Sequence, residues 1–437
     1  MIGISNFIWV GDQPVHGSDF ANGRDLRSAL PNITGQFAID IDDPEGGHLL
    51  VRDPLGVNKL FFAIGNDGAV DTSNYLIDLI RGGHSLKDIW SVPSGHSLRV
   101  IPRQESLELF KYSNLTFNEG SNDVRSMDEY AQRIREQMRE TFYRLKQLLA
   151  GRPVFVTLSG GLDSTTIAVM AREYLGEFTA VTFSIDSGSG AAESSEDLRF
   201  ARLVSMELGV PMETVLATPE EVESLLDVAL LYGQDWRDFN VHCALVNAKI
   251  ASYLQENLVV SQYMKPAILT GDTMNELMAD YSPVTYRNKE YYSLPRLPAG
   301  RLRRFLVSGL DSGDREVGVF GHYGLDVIQP YAIFANAYTS LPARYVQSPG
   351  SKQRLVEKVM GDKIPAEIYA RPKVRAQVGG SEEVGGTLAA LADRGLDGES
   401  LRKRFSELLD CSAEDIRRLI HGGFYRFTSK YPVRNNK

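Results

Sequence analysis

The chain has 437 residues and a mass of 48.5 kDa, and 43% of its residues are hydrophobic and 24% charged. These proportions exclude a mostly disordered chain, a collagen-like chain and a coiled coil. A net charge of −9 argues against a generally basic surface, two cysteines are too few for a disulfide framework, and there is no apolar run of about 18 residues that could span a membrane. We therefore expect a cytoplasmic protein that binds neither nucleic acid nor membranes.

The first 115 or so residues contain short apolar runs that are separated by turn clusters. Examples are GQFAIDID at 35–42, HLLV at 48–51, LFFAIG at 60–65 and HSLRVIP at 96–102. Runs of strands without long intervening helices predict an α+β sandwich. We assign this first domain to residues 1–118, and the polar stretch that follows is a predicted linker.

From residue 127 onward, helical and strand patterns alternate. MDEYAQRIREQMRETFYRLKQLLA has apolar residues at helical spacing, and strand, helix, strand and helix follow it between 152 and 209. This alternation predicts an α/β domain with a parallel sheet covered by helices. We assign it to residues 127–437, with additional helices toward the C-terminus.

A strand–turn–helix junction is the most informative stretch. The apolar strand ends at Leu158, Ser159-Gly160-Gly161 follows, and a helix opens near Asp163. Two glycines let the backbone approach an anion closely, and the amides of a helix start favour phosphate. An acid in a site for anions is explained by a bound Mg²⁺, although Asp163 as a simple helix cap remains the alternative.

The string SGGLDS at 159–164 resembles the pyrophosphate loop of ATP pyrophosphatases, and more matches to asparagine synthetases and beta-lactam synthetases follow in order. These further segments are TFSI at 182–185, EDLRFAR at 196–202, TGDTMNE at 270–276, the stretch 314–331 and RPK at 371–373. The chain is identified as a member of this family. The resemblance implies an adenine nucleotide alpha hydrolase-like synthetase domain that uses ATP and Mg²⁺.

The resemblance also implies the residues of the site. Those expected to bind the nucleotide are Leu158, Ser159, Gly160, Gly161, Asp163, Ser164, Thr182, Phe183, Ser184 and Gly271. Asp163 and Asn275 fall at the two magnesium positions, and Asn275 offers a carbonyl oxygen without charge, so Glu276 or Asp272 is considered as a substitute. Lys373 is the expected cation over the pyrophosphate or the ring-closing intermediate, and Asp272 with Asp314 is the pair expected to act as base or as amine holder, with Glu316 close by.

The first domain is similar to the glutaminase domain of the family, which has a nucleophile-hydrolase-like fold. GQFAID at 35–40 and VRDPLG at 51–56 carry this likeness. Glutamine-using members have a nucleophilic cysteine where this sequence has Ile2, and the Asn-Gly-Glu glutamine-holding motif is absent from residues 1–115. We therefore expect a scaffold that does not hydrolyse glutamine.

The resemblance then implies an AMP-forming amide synthetase whose amine does not come from glutamine. We favour an intramolecular, beta-lactam synthetase-like reaction on a small molecule or peptide, in the biosynthesis of a specialised metabolite such as an antibiotic. A lasso-peptide cyclase, a small-molecule amide ligase, an ammonia-dependent asparagine synthetase and an inactive nucleotide-binding homologue are the alternatives. A homodimer is left open.

Overall fold

The computed structural model describes residues 4–435 apart from 45, 102–105, 119–122, 187–194, 258–263, 311–312, 347–349, 372, 374–377, 379–384 and 421–432. Ile2 therefore lies outside the described residues.

The first part of the chain is built mainly from antiparallel strands. They are β1 (Phe7–Val10), β2 (Gln13–Val15), β3 (Ile33–Gln36), β4 (Ala38–Asp42), β5 (His48–Arg52), β6 (Phe61–Ile64), β7 (Val70–Ser73), β8 (Ile89–Ser91), β9 (His96–Ile101) and β10 (Ser106–Lys111), with helices α1 (Gly23–Ala29) and α2 (Leu76–Arg81). The sheet orders are β2-β1-β3 and β7-β6-β8, and β10-β9-β5-β4 form a third sheet. At the edge of that third sheet, β18 (Val433–Asn435) pairs in parallel with β10, which the sequence pattern did not predict.

The second part contains the expected parallel sheet. Its strands are β11 (Val154–Thr157), β12 (Thr179–Ile185), β13 (Met212–Ala217), β14 (Ala267–Leu269) and β17 (Asp326–Ile328), while β15 (Val284–Tyr286) and β16 (Lys289–Tyr291) form a separate hairpin. The order is β13-β12-β11-β14-β17, and each neighbouring pair is parallel. The chain thus adds strands on one side of β11 and then on the other. Such a reversal opens a crevice at the carboxyl ends of the strands, where α/β proteins bind ligands.

Helices cover this sheet and extend the second part. They are α3 (Met127–Leu148), α4 (Leu162–Tyr174), α5 (Glu196–Leu208), α6 (Pro219–Ser224), α7 (Leu226–Gly233), α8 (Asp238–Asn257), α9 (Met274–Met278), α10 (Ala299–Gly309), α11 (Val317–His322), α12 (Pro330–Ile333), α13 (Ala335–Thr339), α14 (Ser351–Met360), α15 (Ala366–Ala370), α16 (Gly386–Ala392), α17 (Gly398–Leu408) and α18 (Ala413–Ile420). A capping box between Ser126 and Glu129 begins α3.

One hydrophobic core joins the two parts of the chain. Phe7, Trp9 and Val57 belong to the same buried cluster as Phe142 and Val156. Polar contacts reinforce this junction. The side-chain amide of Gln36 donates to the carbonyl of Val327 at 2.8 Å and accepts from the amide of Gln329 at 3.1 Å. The strands of the first part therefore pack directly against the synthetase-like sheet.

Candidate active site

Two loops meet at the carboxyl edge of the parallel sheet. One follows β11 and leads into α4, and the other follows β14 and leads into α9. A Cβ added to Gly271 would lie 2.7 Å from the amide nitrogen of Ser164. Real side chains do not approach so closely, and Gly271 therefore permits the contact between the two loops.

The loop after β11 has the form of an anion-binding turn. Gly160 has a φ of +70°, and α4 begins at Leu162. The hydroxyls of Ser159 and Ser164 lie 3.2 Å apart, and the amide of Ser159 donates to the Ser164 hydroxyl. The Asp163 carboxylate stands in the first turn of α4. The amides of a helix start and the two hydroxyls together suit a phosphate.

A neighbouring helix and an arginine hold this loop in place. A Cβ on Gly160 would lie 2.4 Å from Cβ of Phe200 on α5, so this glycine is packed against protein. The guanidinium of Arg371 donates to the carbonyl of Ser159 at 2.7 Å and pairs with Asp197. Arg371 is almost fully buried in these contacts. Its contacts position the loop.

We expect Gly271→Ala to damage the site by forcing the two loops apart. The added methyl group would collide with main-chain atoms of Asp163 and Ser164. Overpacking of this kind costs about 1–3 kcal/mol, so the melting temperature and the affinity for a non-hydrolysable ATP analogue should both fall. Gly398→Ala, at the start of α17, is the control, because a Cβ there would meet no described atom within 4 Å. Unchanged affinity in Gly271→Ala would contradict the close approach as a requirement.

A cavity of about 700 Å³ opens beside the two loops, which is large enough for a nucleotide. We call it the first cavity. Among the residues expected from the sequence, those that line it are Leu158, Ser159, Gly161, Asp163, Ser164, Thr182, Phe183, Gly271, Asp272, Asn275 and Lys373. Three others lie elsewhere: Gly160 packs on α5, Ser184 is buried within β12, and Asp314 lines a second cavity.

Two lysines converge on the acidic side of the first cavity. The ammonium of Lys352, on α14, lies 2.7 Å from Asp163 and 2.8 Å from the Asn275 carbonyl oxygen. The ammonium of Lys373 lies 2.8 Å from the same Asn275 oxygen and 2.7 Å from Asp280. Lys352 also pairs with Asp280 at 3.1 Å. Lys352 and Asp280 were not predicted from the sequence, because neither lies in a segment that carries the family resemblance.

The crowding of these charges alters their titration. Burial and the neighbouring Lys352 ammonium lower the pKa of Lys373 to about 8. Burial opposes ionisation of Asp280, but Lys352 and Lys373 outweigh it and lower its pKa to about 2. Asp280 is therefore a permanent negative charge next to the neutral Asn275. Asp272 and Glu276, which the sequence suggested as substitutes for Asn275, both form ion pairs with Arg315.

The oxygen atoms around Asp163 are suited to Mg²⁺. Its Oδ1 atom is buried and has no hydrogen-bond partner among the residues that the structure describes, while Oδ2 binds Lys352. Carboxylate and amide oxygens are the ligands that Mg²⁺ takes, usually in company with substrate phosphates. Among the described residues no group of three or more His, Cys, Asp or Glu is placed to hold a metal by itself. Asp163, Asn275 and Asp280 thus form an incomplete set that a nucleotide would complete.

A buried ion-pair network closes the far wall of the first cavity. The guanidinium of Arg315 donates to both carboxylate oxygens of Asp272, at 2.6 and 2.9 Å, and to Glu276 at 2.9 Å. Tyr281 donates to the same Glu276 oxygen, and the Arg315 guanidinium lies over the Phe239 ring. Asp272 is consequently paired with Arg315, and Asp314 accepts from the amide of Gly318 instead. The two residues of the predicted base pair have different partners.

Glu316 stands beside this network and lines both cavities. Its Oε2 atom accepts from the Thr270 hydroxyl at 2.7 Å and from the Gln329 amide at 2.8 Å. Burial and the nearby Asp272 carboxylate raise the pKa of Glu316 to about 8, and burial raises that of Asp314 to about 6. Of these two carboxyl groups, Glu316 is the one that faces the first cavity.

We expect stability to fall with rising pH because of Glu316. An unfolded glutamate ionises near pH 4.5, whereas the folded one holds its proton up to about pH 8. The stabilisation is therefore complete below pH 4.5 and lost as the pH rises through 8. Glu316→Gln should flatten the curve of melting temperature against pH between 5 and 8, whereas Asp314→Asn should flatten it only up to about pH 6. An unchanged slope in Glu316→Gln would contradict this assignment.

The remaining titratable candidates have structural roles. His242 is buried, its ring nitrogen contacts the Tyr292 hydroxyl at 2.7 Å, and burial lowers its pKa to about 3. His322 stacks on Tyr232. Cys243 and Cys411 are half-buried and form no disulfide within the described part of the chain. No helix in the described part of the chain is long and apolar enough to cross a membrane.

Comparison with known proteins agrees with this site. Residues 134–314 match the family described as asparagine synthase, a span that includes the loop after β11 and the one after β14. The chain is similar to glutamine-hydrolysing asparagine synthetases of Rattus norvegicus (25% identity), Bos taurus (26%) and Homo sapiens (25%). Each alignment covers 80% of this chain and 64% of the relative, so the chain spans less than two thirds of their length.

Two solved structures also align. They are an NMN synthetase of Francisella tularensis (12% identity, TM-score 0.30, 72% of this chain and 99% of that chain) and an NH3-dependent NAD synthetase of Campylobacter jejuni (12%, 0.29, 68% and 98%). Scores this low establish no shared fold.

Fold and site together define a protein with a parallel sheet and a strand–loop–helix turn of the anion-binding form. The part of the chain that contains both loops is similar to the asparagine synthase family.

Proposed function

We propose that this protein is an ATP-dependent, AMP-forming carbon–nitrogen ligase that joins a carboxylate to an amine not taken from glutamine. The observation that carries the proposal is the first cavity. In it, Lys352 and Lys373 converge on Asp163 and Asn275 at the start of α4. A nucleotide triphosphate would place its phosphates on the amides of this helix start, between the two ammonium groups. The same cations would stabilise the charge that develops on departing pyrophosphate.

The reaction would have two balanced steps. A carboxylate oxygen of the substrate attacks the α-phosphorus, the bond to the bridging oxygen breaks, and pyrophosphate leaves. The amine nitrogen then attacks the acyl carbon, the carbon–oxygen bond to AMP breaks, and AMP leaves. Asp163, Asn275 and Asp280 are the residues that would hold Mg²⁺, which neutralises phosphate charge when bound. Glu316 would take the amine proton, because a base with a pKa near the working pH is the most effective.

We propose a scaffold role for residues 1–118, whose nucleophile-hydrolase-like sandwich remains our interpretation. In the segment that resembles a glutaminase, Arg52 is fully buried and donates to the carbonyls of Gly56, Asn58 and Val92. Its cationic group thus holds main chain and is not available to a substrate. For the amine, we favour one on the same molecule as the carboxylate, as in a beta-lactam synthetase. We propose that this reaction belongs to the biosynthesis of a specialised metabolite.

The test is pyrophosphate release by the purified full chain with ATP, Mg²⁺ and a panel of amino-carboxylates, followed by mass spectrometry of the products. Pyrophosphate and AMP with a dehydrated product support the proposal. Formation of ADP, or release of glutamate from labelled glutamine, overturns it. Aspartate with ammonium chloride forms a separate arm, because the similarity to asparagine synthetases favours an ammonia-dependent asparagine synthetase as the second candidate. Asparagine in that arm would identify the second candidate instead.

A further inference from the structure

A second cavity of about 430 Å³ lies behind the wall of the first one. The two cavities share Phe239, Asp272, Arg315 and Glu316, so the ion-pair network separates them. A volume of this size is far above the roughly 30 Å³ that one water molecule takes up in the liquid. The second cavity can therefore hold an organic molecule whose reactive end reaches the wall.

The lining of the second cavity is acidic. Six carboxylate residues face three cationic ones, and all three cations are already engaged. Arg315 is bound by Asp272 and Glu276, Lys59 donates to the Leu310 carbonyl at 2.6 Å, and Arg237 pairs with Asp235 outside the lining. The uncompensated charge is thus negative, which favours a cationic ligand.

One atom of this lining lacks a partner. Glu276 is almost fully buried, and its Oε1 atom accepts from Arg315 and Tyr281, but its Oε2 atom has no hydrogen-bond partner in the described part of the chain. A buried carboxylate oxygen without a donor is costly, because such groups are almost always satisfied. Glu276 lines the second cavity and does not line the first. A ligand in the second cavity that donates hydrogen bonds would satisfy it.

Part of the remaining lining is apolar. Leu306, Leu310 and Pro295 contribute to the wall, and Phe305 is 53% exposed, an unusual position for a phenylalanine. We propose that the second cavity binds the amine partner of the ligation as an organic ammonium ion, with its charged end at Glu276 and its carbon body on this apolar wall. This inference rests on the proposed function and adds where the amine is held and of what class it is.

The geometry also suggests how the amine would be delivered. Glu316 stands on the shared wall, next to Asp272. Where Glu316 is ionised, at about pH 8 and above, an ammonium held at Glu276 would lose its proton to Glu316 before its nitrogen attacks the acyl carbon in the first cavity. The same arrangement serves a separate amine or the amino end of a molecule that extends through the wall.

The test measures binding of 2-phenylethylammonium chloride to the full chain by calorimetric titration, without ATP. We expect binding at least tenfold tighter than that of the neutral 2-phenylethanol, and at least tenfold weaker binding in Glu276→Gln. Leu306→Trp, which fills the cavity from its half-buried wall, should abolish binding without touching the ion pairs. Glu367→Gln on α15, outside both cavities, should bind as the parent does.

Equal binding of the alcohol and the ammonium, or undisturbed binding in Leu306→Trp, would overturn the inference. Displacement of 2-phenylethylammonium by ammonium chloride at equal concentration would contradict the proposal that the ligand is organic, because it would indicate a site for ammonia. Because ATP is left out, failure here is distinguishable from failure of the proposed function: amine binding without any pyrophosphate release would leave this site standing and refute the ligase.

Discussion

Lys352→Met is expected to lower the rate of pyrophosphate formation about a hundredfold or more, the range seen when a charge-stabilising donor is removed from a catalytic site. Its ammonium is held by Asp163 and Asn275, at the start of α4 where the phosphates would bind. Two carboxylates, Asp163 and Asp280, would remain without this cation and would repel the nucleotide. The measurement is steady-state pyrophosphate release, together with titration of a non-hydrolysable ATP analogue.

The matched control is Lys358→Met on the same helix. Lys358 is exposed and pairs only with the surface Asp128 among the contacts that the structure describes. It should release pyrophosphate at the parent rate. If Lys352→Met were as active as Lys358→Met while folded, the buried lysine would be merely structural and the position of the phosphates would have to be revised.

Asp163→Asn should cause a loss of similar size and should also weaken metal binding. Asparagine keeps the shape of the side chain but removes the negative charge of the carboxylate. In Asp163 the Oδ1 atom of this carboxylate has no hydrogen-bond partner among the described residues. The affinity for Mn²⁺, measured by electron paramagnetic resonance with an ATP analogue present, should fall at least tenfold. This readout does not depend on turnover.

Glu173→Gln, near the other end of α4, controls for the loss of one carboxylate from this helix, since Glu173 is exposed and pairs with Lys363. It should bind Mn²⁺ as the parent does. Parent-like Mn²⁺ affinity in Asp163→Asn would exclude Asp163 as a ligand. Asp280→Asn tests the residue that lies beside the neutral Asn275, and a partial loss is expected there.

The loop that begins at Ser159 could be predicted from the sequence because its signals are local. A buried strand, two glycines and a helix start follow one another within a few residues, and each has its own physical signature. The parallel sheet could be predicted for the same reason, since strand and helix periods alternate along residues 152–209. Both agree with the structure.

The opposite wall of the site could not be predicted in this way. Lys352 lies 189 residues from Asp163, in a helix whose pattern is that of an ordinary amphipathic one. Asp280 lies four residues after the segment TGDTMNE, and its sequence context is that of a solvent-exposed acid in a turn. Arg371 lies in the compared segment RPK, but no local pattern indicates that it is buried against Asp197. Long-range pairing decides each of these roles, and the sequence carries no local trace of it.

The choice of carboxylates shows the same limit. Asp272, Asp314 and Glu316 are all acids in polar stretches, and only tertiary contacts separate them. Asp272 is held by Arg315, Asp314 caps α11 through the Gly318 amide, and Glu316 is left on the wall between the cavities. The predicted Asp272–Asp314 pair stays a prediction, with Glu316 now the stronger candidate for proton transfer.

The contacts of Gln36 with Val327 and Gln329 have a consequence for how the molecule melts. The Gln36 side chain, in the first part of the chain, is hydrogen-bonded to main-chain groups in the second part, and the two parts share one hydrophobic core. Separation would therefore expose buried groups on both parts. Heating should therefore give a single heat-absorption peak, and a fragment cut at the linker should precipitate when expressed alone.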